Sequence, residues 1–315
     1  MSRFYEQLAA ACSANQPFAL ALIAGTKGSS PQRAGAKAIF FADGKITGTL
    51  GGGCLEAEVH SRALTALKTG QAAKFDMLLD HDFGWDDGLI CGGSVNGLIL
   101  PRAAEAGELW RELAAATETI CWGVRKDFSI ALADSTNQPF NDSTNSDWLY
   151  QETVSPPLEL WIAGSGHVAQ AVAPLALQLD FAVTIFDDRP ELANHEFFPP
   201  TTQLQVGGWH ELLKFRPPAN AFGLIVTRGH QHDALALSEW IQFPFVFLGL
   251  IGSRRKARII REQFLRQKIA PPEQFDRIAC PVGLDIAAVG TNEIAVSILA
   301  QLIQKRAEFF GAKRK

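Results

Sequence analysis

Apolar positions along the chain form short runs that alternate with stretches of helical spacing. In the first half, residues 18–24 are apolar and lie between Pro and Gly, which predicts a buried strand. Residues 36–42 and 46–50 are similar runs separated by an Asp-Gly-Lys turn, which predicts a β-hairpin. Residues 54–68 have helical spacing and precede Gly70, so we expect a helix that ends there.

The second half repeats a rhythm of strand, helix and strand. Short apolar runs predict strands at residues 158–163, 183–186, 204–206, 222–226 and 245–250. Helical spacing predicts helices at residues 167–179, 234–240, 255–266 and 292–305. This alternation is typical of a parallel, doubly wound sheet.

A polar, turn-rich stretch divides the two halves. Residues 134–157 show no helical or strand period. We therefore predict an α/β protein with an N-terminal α/β domain over residues 1–133 and a linker over residues 134–157. A C-terminal Rossmann-like domain with a doubly wound parallel sheet is predicted over residues 158–315. The length of 315 residues agrees with two domains.

Charge and composition argue against several classes of protein. Lys and Arg number 29 and Asp and Glu number 33, so the net charge of −4 argues against a basic body that binds nucleic acid or a membrane surface. No apolar run reaches the roughly 18 residues of a spanning helix, and the N-terminus lacks a signal peptide's apolar region. The five cysteines are widely spaced, which indicates neither a disulfide framework nor a CxxC zinc site. The expected location is the reducing cytoplasm.

A glycine-rich turn follows the first strand of the second half. Gly164 and Gly166, with His167 opening a helix, match the G-x-G-x-x-G/A turn whose N–H groups bind a pyrophosphate. Asp187 ends the next strand, where a ribose-binding acid is expected, and Arg189 would instead meet a 2′-phosphate. The alternative is a Rossmann-like domain whose nucleotide site is empty or binds another anion.

A second glycine turn lies in the first half, where Gly51, Gly52 and Gly53 end a strand and begin a helix. Such glycines bring a ligand close to free N–H groups. Cys54 lies in the first helical turn, so its thiol is a candidate reactive thiolate, soft-metal ligand or persulfide carrier. The alternative is a small cysteine packed under a tight turn. Glu56 suits this helix end as a first-turn carboxylate.

Two loops of the first half accompany this turn. Residues 28–37 are small and carry Arg33 and Lys37, which suits a phosphate or carboxylate, although a solvated turn has the same composition. Cys91 lies between acidic residues and two glycines. Cys54 and Cys91 belong to the same half and are candidates to face one cleft. Two thiols are too few for a structural zinc site without His or carboxylate ligands.

Two polar segments of the second half follow apolar strands, where open parallel sheets bind their ligands. Arg228, His230 and His232 belong to the first segment, whose histidines suit metal binding or proton relay, or equally helix capping and loop contacts. Ser253 and Arg254 begin the second segment, which suits an anion site or a basic, solvated helix face.

The motifs taken together resemble the XdhC/CoxI family, the xanthine dehydrogenase accessory factors, over about residues 24–306. The first half carries GSSP at 28–31, GAK at 35–37, GGGCLE at 51–56 and CGG at 91–93. The second half carries GSGHV at 164–168, DDRP at 187–190, TRGH at 227–230, GLIGSRRK at 249–256, PVGLDI at 281–286 and NEIAVSI at 292–298.

The resemblance implies a maturation chaperone for molybdenum hydroxylases rather than an enzyme. Such a protein holds and protects the molybdenum cofactor, either molybdopterin or its dinucleotide. It supports replacement of an oxo ligand by sulfide, with a cysteine desulfurase as the sulfur source. It then delivers the cofactor to an apo molybdenum hydroxylase such as xanthine dehydrogenase or an aldehyde oxidase.

The cofactor-binding residues that we predict combine the resemblance with the chemistry above. A glycine-rich helix start suits the cofactor's phosphate, and Cys54 is the expected soft ligand of the metal. The first half supplies Gly51, Gly52, Gly53, Cys54 and Glu56, with Arg33, Lys37 and Cys91 in support. The second half supplies Gly164, Gly166, His167, Asp187, Arg228, His230, Ser253 and Arg254.

Two interpretations from other classes remain open. An NAD(P)-dependent oxidoreductase would use the Gly164 turn and Asp187, with His167, His230 or His232 as proton donor. A metal-binding interaction protein would use His230 and His232. A homodimer is compatible with either role, and no interface is visible in the sequence.

Overall fold

The computed structural model describes residues 2–79, 92–133 and 147–311 of the chain. The chain divides into two compact units, Met1–Pro156 and Pro157–Lys315. In the described part of the chain, no helix combines the length and the apolar character needed to cross a membrane.

The N-terminal unit is built on an antiparallel sheet in the order β3-β2-β1-β5-β4, with a smaller sheet in the order β7-β6-β8. Its strands are β1 (Phe18–Lys27), β2 (Lys37–Phe41), β3 (Ile46–Gly48), β4 (Ala73–Leu79), β5 (Gly93–Leu100), β6 (Ile120–Arg125), β7 (Ile130–Leu132) and β8 (Trp148–Val154). Its helices are α1 (Ser2–Ser13), α2 (Gly53–Thr69) and α3 (Gly107–Ala114), with a 3-10 turn at Ala103–Ala106.

Strand β1 is continuously apolar because both of its faces are covered. Ala19 and Ala21 belong to the core under α2, which contributes Leu55 and Val59. The alternate residues of the strand, such as Leu20, pack in a second core that includes residues of α1, α3, β6 and β8. The predicted buried strand, the hairpin of β2 and β3 and the helix ending at Gly70 are all confirmed.

Residues 148–154 correct the predicted linker. They form strand β8, which pairs antiparallel with β6. Tyr150 and Val154 are buried in the core, while Gln151, Glu152 and Thr153 are polar and conceal the alternation. Residues 134–146 of the predicted linker lie outside the described residues.

The C-terminal unit contains a parallel sheet in the order β11-β10-β9-β12-β13-β14. Its strands are β9 (Leu158–Ala163), β10 (Phe181–Asp187), β11 (Gln203–Val206), β12 (Ala221–Ile225), β13 (Phe247–Leu250) and β14 (Ile278–Ala279). Its helices are α4 (His167–Gln178), α5 (Trp209–Leu212), α6 (His230–Trp240), α7 (Arg254–Gln267), α8 (Pro272–Phe275) and α9 (Thr291–Phe309).

Helices cover both faces of this sheet. Buried residues of α4 and α9 form one core cluster with the strands, and buried residues of α6 and α7 form another. The strand order is that of dinucleotide-binding Rossmann folds, so the order reverses between β9 and β12. The predicted doubly wound parallel sheet is therefore confirmed, and its ligand crevice is expected at the carboxyl ends of these two strands.

Candidate functional site

Three glycine-rich segments of the N-terminal unit meet at one end of the larger sheet. A Cβ on Gly93 would lie 2.1 Å from the carbonyl oxygen of Ser29, so the start of β5 packs directly on the loop that follows β1. A Cβ on Gly51 would lie 2.9 Å from Cβ of Pro31. The tertiary structure thus joins three motifs that are distant in sequence. Cys91, the remaining predicted residue here, lies outside the described residues.

The start of α2 is an open turn. Gly51, Gly52 and Gly53 have φ angles of 115°, 73° and 59°, a region that favours glycine. A Cβ on Gly52 or Gly53 would meet no atom within 4 Å in the described structure, so this face of the turn is uncrowded. Gly52 is the N-cap and provides no side-chain cap for the first-turn N–H groups. Together with the half-buried Cys54 thiol, these groups suit an anion and a soft metal.

Glu56 stabilises the residues that lead into this turn. Its Oε2 accepts hydrogen bonds from Thr49 Oγ1 at 2.8 Å and from the Leu50 backbone N–H at 2.9 Å. The carboxylate therefore fixes the loop that enters α2, and positioning of the turn is the role that its contacts indicate.

Replacing Glu56 by alanine is expected to lower the free energy of unfolding of the N-terminal unit by about 1–3 kcal/mol, because both donors lose a charged acceptor. Glu58→Ala is the matched control. Glu58 pairs with Arg62 on the exposed face of the same helix, and loss of such a pair costs about 0.5 kcal/mol. Denaturant unfolding of both variants measures the difference, and equal losses would contradict the supporting role of Glu56.

A cavity of about 630 Å³ opens between residues 30–37 and strand β8. Arg33 lies exposed on its rim and makes no ion pair with any described residue. Lys37 is buried, in contrast to the solvated turn that the sequence also allowed. Tyr150 and Glu152 complete the wall on the β8 side.

A buried polar network lies beside this cavity. Glu152 Oε2 forms an ion pair with Lys37 Nζ at 2.6 Å and accepts hydrogen bonds from the hydroxyls of Tyr5 and Tyr150, each at 2.9 Å. Trp122 Nε1 donates to the Tyr5 hydroxyl at 2.9 Å. Burial raises the pKa of both tyrosines, and the nearby Glu152 carboxylate adds to the shift. Burial also lowers the pKa of Lys37, against the opposing effect of Glu152.

The network changes the interpretation of Lys37. Its ammonium group is committed to Glu152 and to the carbonyl oxygen of Gly35 at 2.7 Å, so Lys37 supports the loop from within. Sequence reasoning missed Glu152 and Tyr150 because they lie in the stretch taken for a linker. The apolar residues at 148–150 were a hint of a strand, but the polar residues at 151–153 interrupt the alternation.

The predicted pyrophosphate turn of the C-terminal unit occupies the crevice where the strand order reverses. Gly164 follows β9 with a φ of 114°, and a Cβ there would lie 2.5 Å from the carbonyl oxygen of Val226 after β12. Gly166 is the N-cap of α4, with open space where a Cβ would be. His167 is exposed in the first turn. These features leave the helix start accessible to an anion.

Asp187 is fully buried and has internal partners. Its carboxylate accepts hydrogen bonds from the Ser165 backbone N–H at 2.7 Å and from the Arg189 backbone N–H at 3.0 Å. The Arg189 guanidinium donates to both carboxylate oxygens at 2.8 Å. Burial alone would raise the pKa of Asp187, but the donors from Arg189 and Ser165 outweigh it and the pKa is lowered. A ribose hydroxyl would have to compete with these partners.

Arg228 and the two predicted histidines have different surroundings. Arg228 pairs with Asp188 at 2.9 Å and lies 3.3 Å from His232 Nε2, while His230 is exposed. The described residues contain no group of three side chains that could hold a metal ion.

Asp233, the residue after His232, is buried and links the end of β12 to helix α7. Its Oδ1 accepts hydrogen bonds from the Thr227 backbone N–H at 3.1 Å and from Thr227 Oγ1 at 2.6 Å, and its Oδ2 pairs with Lys256. Ser253 is the N-cap of α7 and accepts a hydrogen bond from the Lys256 N–H at 3.2 Å, beside an exposed Arg254. Lys256 of the predicted basic segment is thus bound to a buried carboxylate, whereas Arg254 stays exposed.

Two family models match the chain. The model described as the XdhC and CoxI family matches residues 11–82, and the model described as the XdhC Rossmann domain matches residues 160–302. Together they match more than half of the chain.

Three known proteins are similar in sequence. "Uncharacterized protein YqeB" of Escherichia coli K12 is 31% identical over 92% of this chain, which spans 44% of that protein's length. A protein of Bacillus subtilis 168 that is named as a probable xanthine dehydrogenase subunit is 27% identical over 97% of this chain and 98% of its own. "Molybdenum cofactor insertion chaperone PaoD" of Escherichia coli K12 is 26% identical over 89% of this chain and 80% of its own.

A solved structure has the same fold. The crystal structure described as a xanthine dehydrogenase from Bacillus halodurans superimposes with a TM-score of 0.81 and 26% sequence identity. The match covers 99% of this chain and 96% of the other.

Proposed function

We propose, on the premise that this chain belongs to the XdhC and CoxI family, that it matures a molybdenum enzyme by binding the molybdenum cofactor and delivering it to the apo-enzyme. The observation that carries the proposal is the open, glycine-rich start of α2 with Cys54 in its first turn. The names of two relatives, one a molybdenum cofactor insertion chaperone and the other a probable xanthine dehydrogenase subunit, support the same role.

The residues at the start of α2 fit the chemistry of this cargo. The cofactor's phosphate suits the first-turn N–H groups and the positive end of the helix dipole. Its molybdenum is bound by sulfur and accepts a soft thiolate such as Cys54. Arg33, exposed on the neighbouring loop, adds a cation without an ion pair among the described residues.

The proposal includes the sulfuration step and the partners. The apo-enzyme is a molybdenum hydroxylase such as xanthine dehydrogenase or an aldehyde oxidase, and a cysteine desulfurase supplies the sulfur. Cys12, Cys54, Cys121 and Cys280 are all free thiols, which suits a reducing cytoplasm. The oligomeric state of the loaded protein tests whether a second copy of the chain is also a partner.

Replacing Cys54 by alanine is expected to lower the bound molybdenum and pterin per chain at least about ten-fold, because the metal loses its soft ligand. Wild type and variant are co-expressed with cofactor biosynthesis, purified and analysed for both components. Cys12→Ala, which removes a half-buried thiol from α1, is the matched control and should load as wild type does. A wild-type chain that carries neither molybdenum nor pterin would overturn the proposal.

A second candidate function is an NAD(P)-dependent oxidoreductase. The strand order of the C-terminal unit and the open helix start at Gly166 favour it. The internal partners of Asp187 count against it, since the ribose-binding acid is already engaged. Oxidation of NAD(P)H with a panel of carbonyl substrates tests this role. Binding of NAD(P) without turnover would instead indicate a nucleotide site within the maturation protein.

A further inference from the structure

We infer that the cavity between residues 30–37 and β8 binds the pterin ring of the cofactor, with Glu152 Oε1 accepting the ring's N–H groups. This inference rests on the proposed function and extends it to a subsite in which the sequence predicted only Arg33 and Lys37. A 2-amino-4-oxopyrimidine ring, the shared chemistry of pterin and guanine, presents an amino group and a neighbouring ring N–H on one edge.

The two oxygens of Glu152 are used unequally. Oε2 receives Lys37 Nζ and the hydroxyls of Tyr5 and Tyr150. Oε1 accepts no hydrogen bond from any described residue, and Glu152 lines the cavity. A carboxylate oxygen can accept two hydrogen bonds, so Oε1 can take both donors on the edge of the ring.

The network holds this acceptor in place. Lys37 and Glu152 have side chains only 7% and 12% exposed, and Tyr5 is itself fixed by the indole of Trp122. A ligand therefore meets an acceptor whose orientation is already set, which lowers the entropic cost of binding. Because Glu152 brings a carboxylate to the cavity wall, this wall favours a hydrogen-bond donor on the ligand.

The walls suit a flat heterocycle. Ala24, Pro31 and Ala36 present small apolar surfaces, and Arg33 lies exposed at the rim, where the anionic part of the cofactor would emerge. Pro31 also lies close to Gly51, where a Cβ would be 2.9 Å from Cβ of Pro31, so the cavity adjoins the turn that begins α2. One cofactor molecule can thus place its ring in the cavity and its phosphate and metal at the turn.

The test compares 6-hydroxymethylpterin with lumazine, which has an oxygen in place of the 2-amino group, by calorimetric titration of the full chain. We expect wild type to bind the pterin at least about ten-fold more tightly than lumazine, since only the pterin offers the amino donor. Glu152→Gln should abolish this preference. Guanosine is the third probe, and guanosine binding as tight as that of the pterin would overturn the pterin assignment.

A second variant keeps the test independent of the buried network. Ala34 is exposed and lines the cavity, so Ala34→Trp fills part of the space while the Glu152 side chain itself is kept. It should weaken pterin binding at least about ten-fold, whereas Ala104→Trp, on an exposed position outside this cavity, should not. Equal binding of pterin and lumazine by wild type, or unchanged pterin binding by Ala34→Trp, would overturn the inference.

Co-expression separates this inference from the proposed function. If wild type and Ala34→Trp load equal amounts of molybdenum and pterin, the subsite is wrong and the maturation role stands. If wild type loads neither, the maturation role itself fails.

Discussion

Replacing Lys37 by methionine is expected to lower the free energy of unfolding of the N-terminal unit by about 3–5 kcal/mol. The substitution leaves the Glu152 carboxylate buried without its cation, although the hydroxyls of Tyr5 and Tyr150 still donate to it. An unpaired buried charge is far more costly than the loss of an exposed ion pair. Methionine fills a similar volume, so the expected loss reports the charge rather than a cavity.

Denaturant-dependent hydrogen exchange of the β1 and β8 backbone N–H groups measures this loss within the N-terminal unit. Arg62→Met is the matched control, because it breaks an exposed ion pair on α2 and should cost less than about 1 kcal/mol. The double variant Lys37→Met with Glu152→Gln should lose less than the sum of the single variants, since the two side chains interact directly. A loss below about 1 kcal/mol in Lys37→Met would show that the pair is not the support we infer.

Replacing Asp187 by asparagine is expected to lower the free energy of unfolding of the C-terminal unit by about 3–5 kcal/mol. The Arg189 guanidinium, 18% exposed, loses its counter-ion, and the amide of asparagine cannot accept all four hydrogen bonds that the carboxylate accepts. The Ser165 N–H holds the glycine-rich turn through this carboxylate, so the turn should loosen as well. Hydrogen exchange in β9 and α4 measures both effects.

The stability contributed by Asp187 should also depend on pH. Its pKa in the folded protein is lowered, so its contribution is fully present above the unfolded pKa of about 3.9 and is lost as the pH falls through the folded value. The wild-type C-terminal unit should therefore lose stability on acidification below about pH 4, and Asp187→Asn should lose less over the same range. Asp188→Asn, which removes the neighbouring carboxylate and alters a more exposed ion pair, is the control. Parallel acid profiles for wild type and Asp187→Asn would contradict this account.

Most of the C-terminal unit was predictable because its apolar pattern is unambiguous. Strands buried on both faces are short and continuously apolar, and the helices between them dictate parallel pairing. The small sheet of the N-terminal unit was less accessible to prediction. Strand β8 carries three consecutive polar residues between the buried Tyr150 and Val154. Its partner β6 lies before the stretch of residues 134–146, so the pairing had no local signal.

The candidate site was also predictable only in part. The triple glycine stands out because few other residues tolerate those backbone angles. Cys54 stands out because it follows the glycines directly, in the first turn of a helix. The roles of Lys37 and Asp187 did not stand out. A cation or a carboxylate in a loop has the same appearance in the sequence whether it faces a ligand or a buried partner.

The sequence by itself determined most of the elements, the parallel sheet, the family resemblance and the two glycine turns, because these depend on local backbone preferences and on residue spacing. Only the tertiary structure decided which charged groups are free. Tyr5 and Glu152 are 147 positions apart and meet in one hydrogen bond, and the Ser165 N–H is bound by Asp187. Burial sets the energy of such contacts, and burial is a property of packing between distant segments rather than of any one of them.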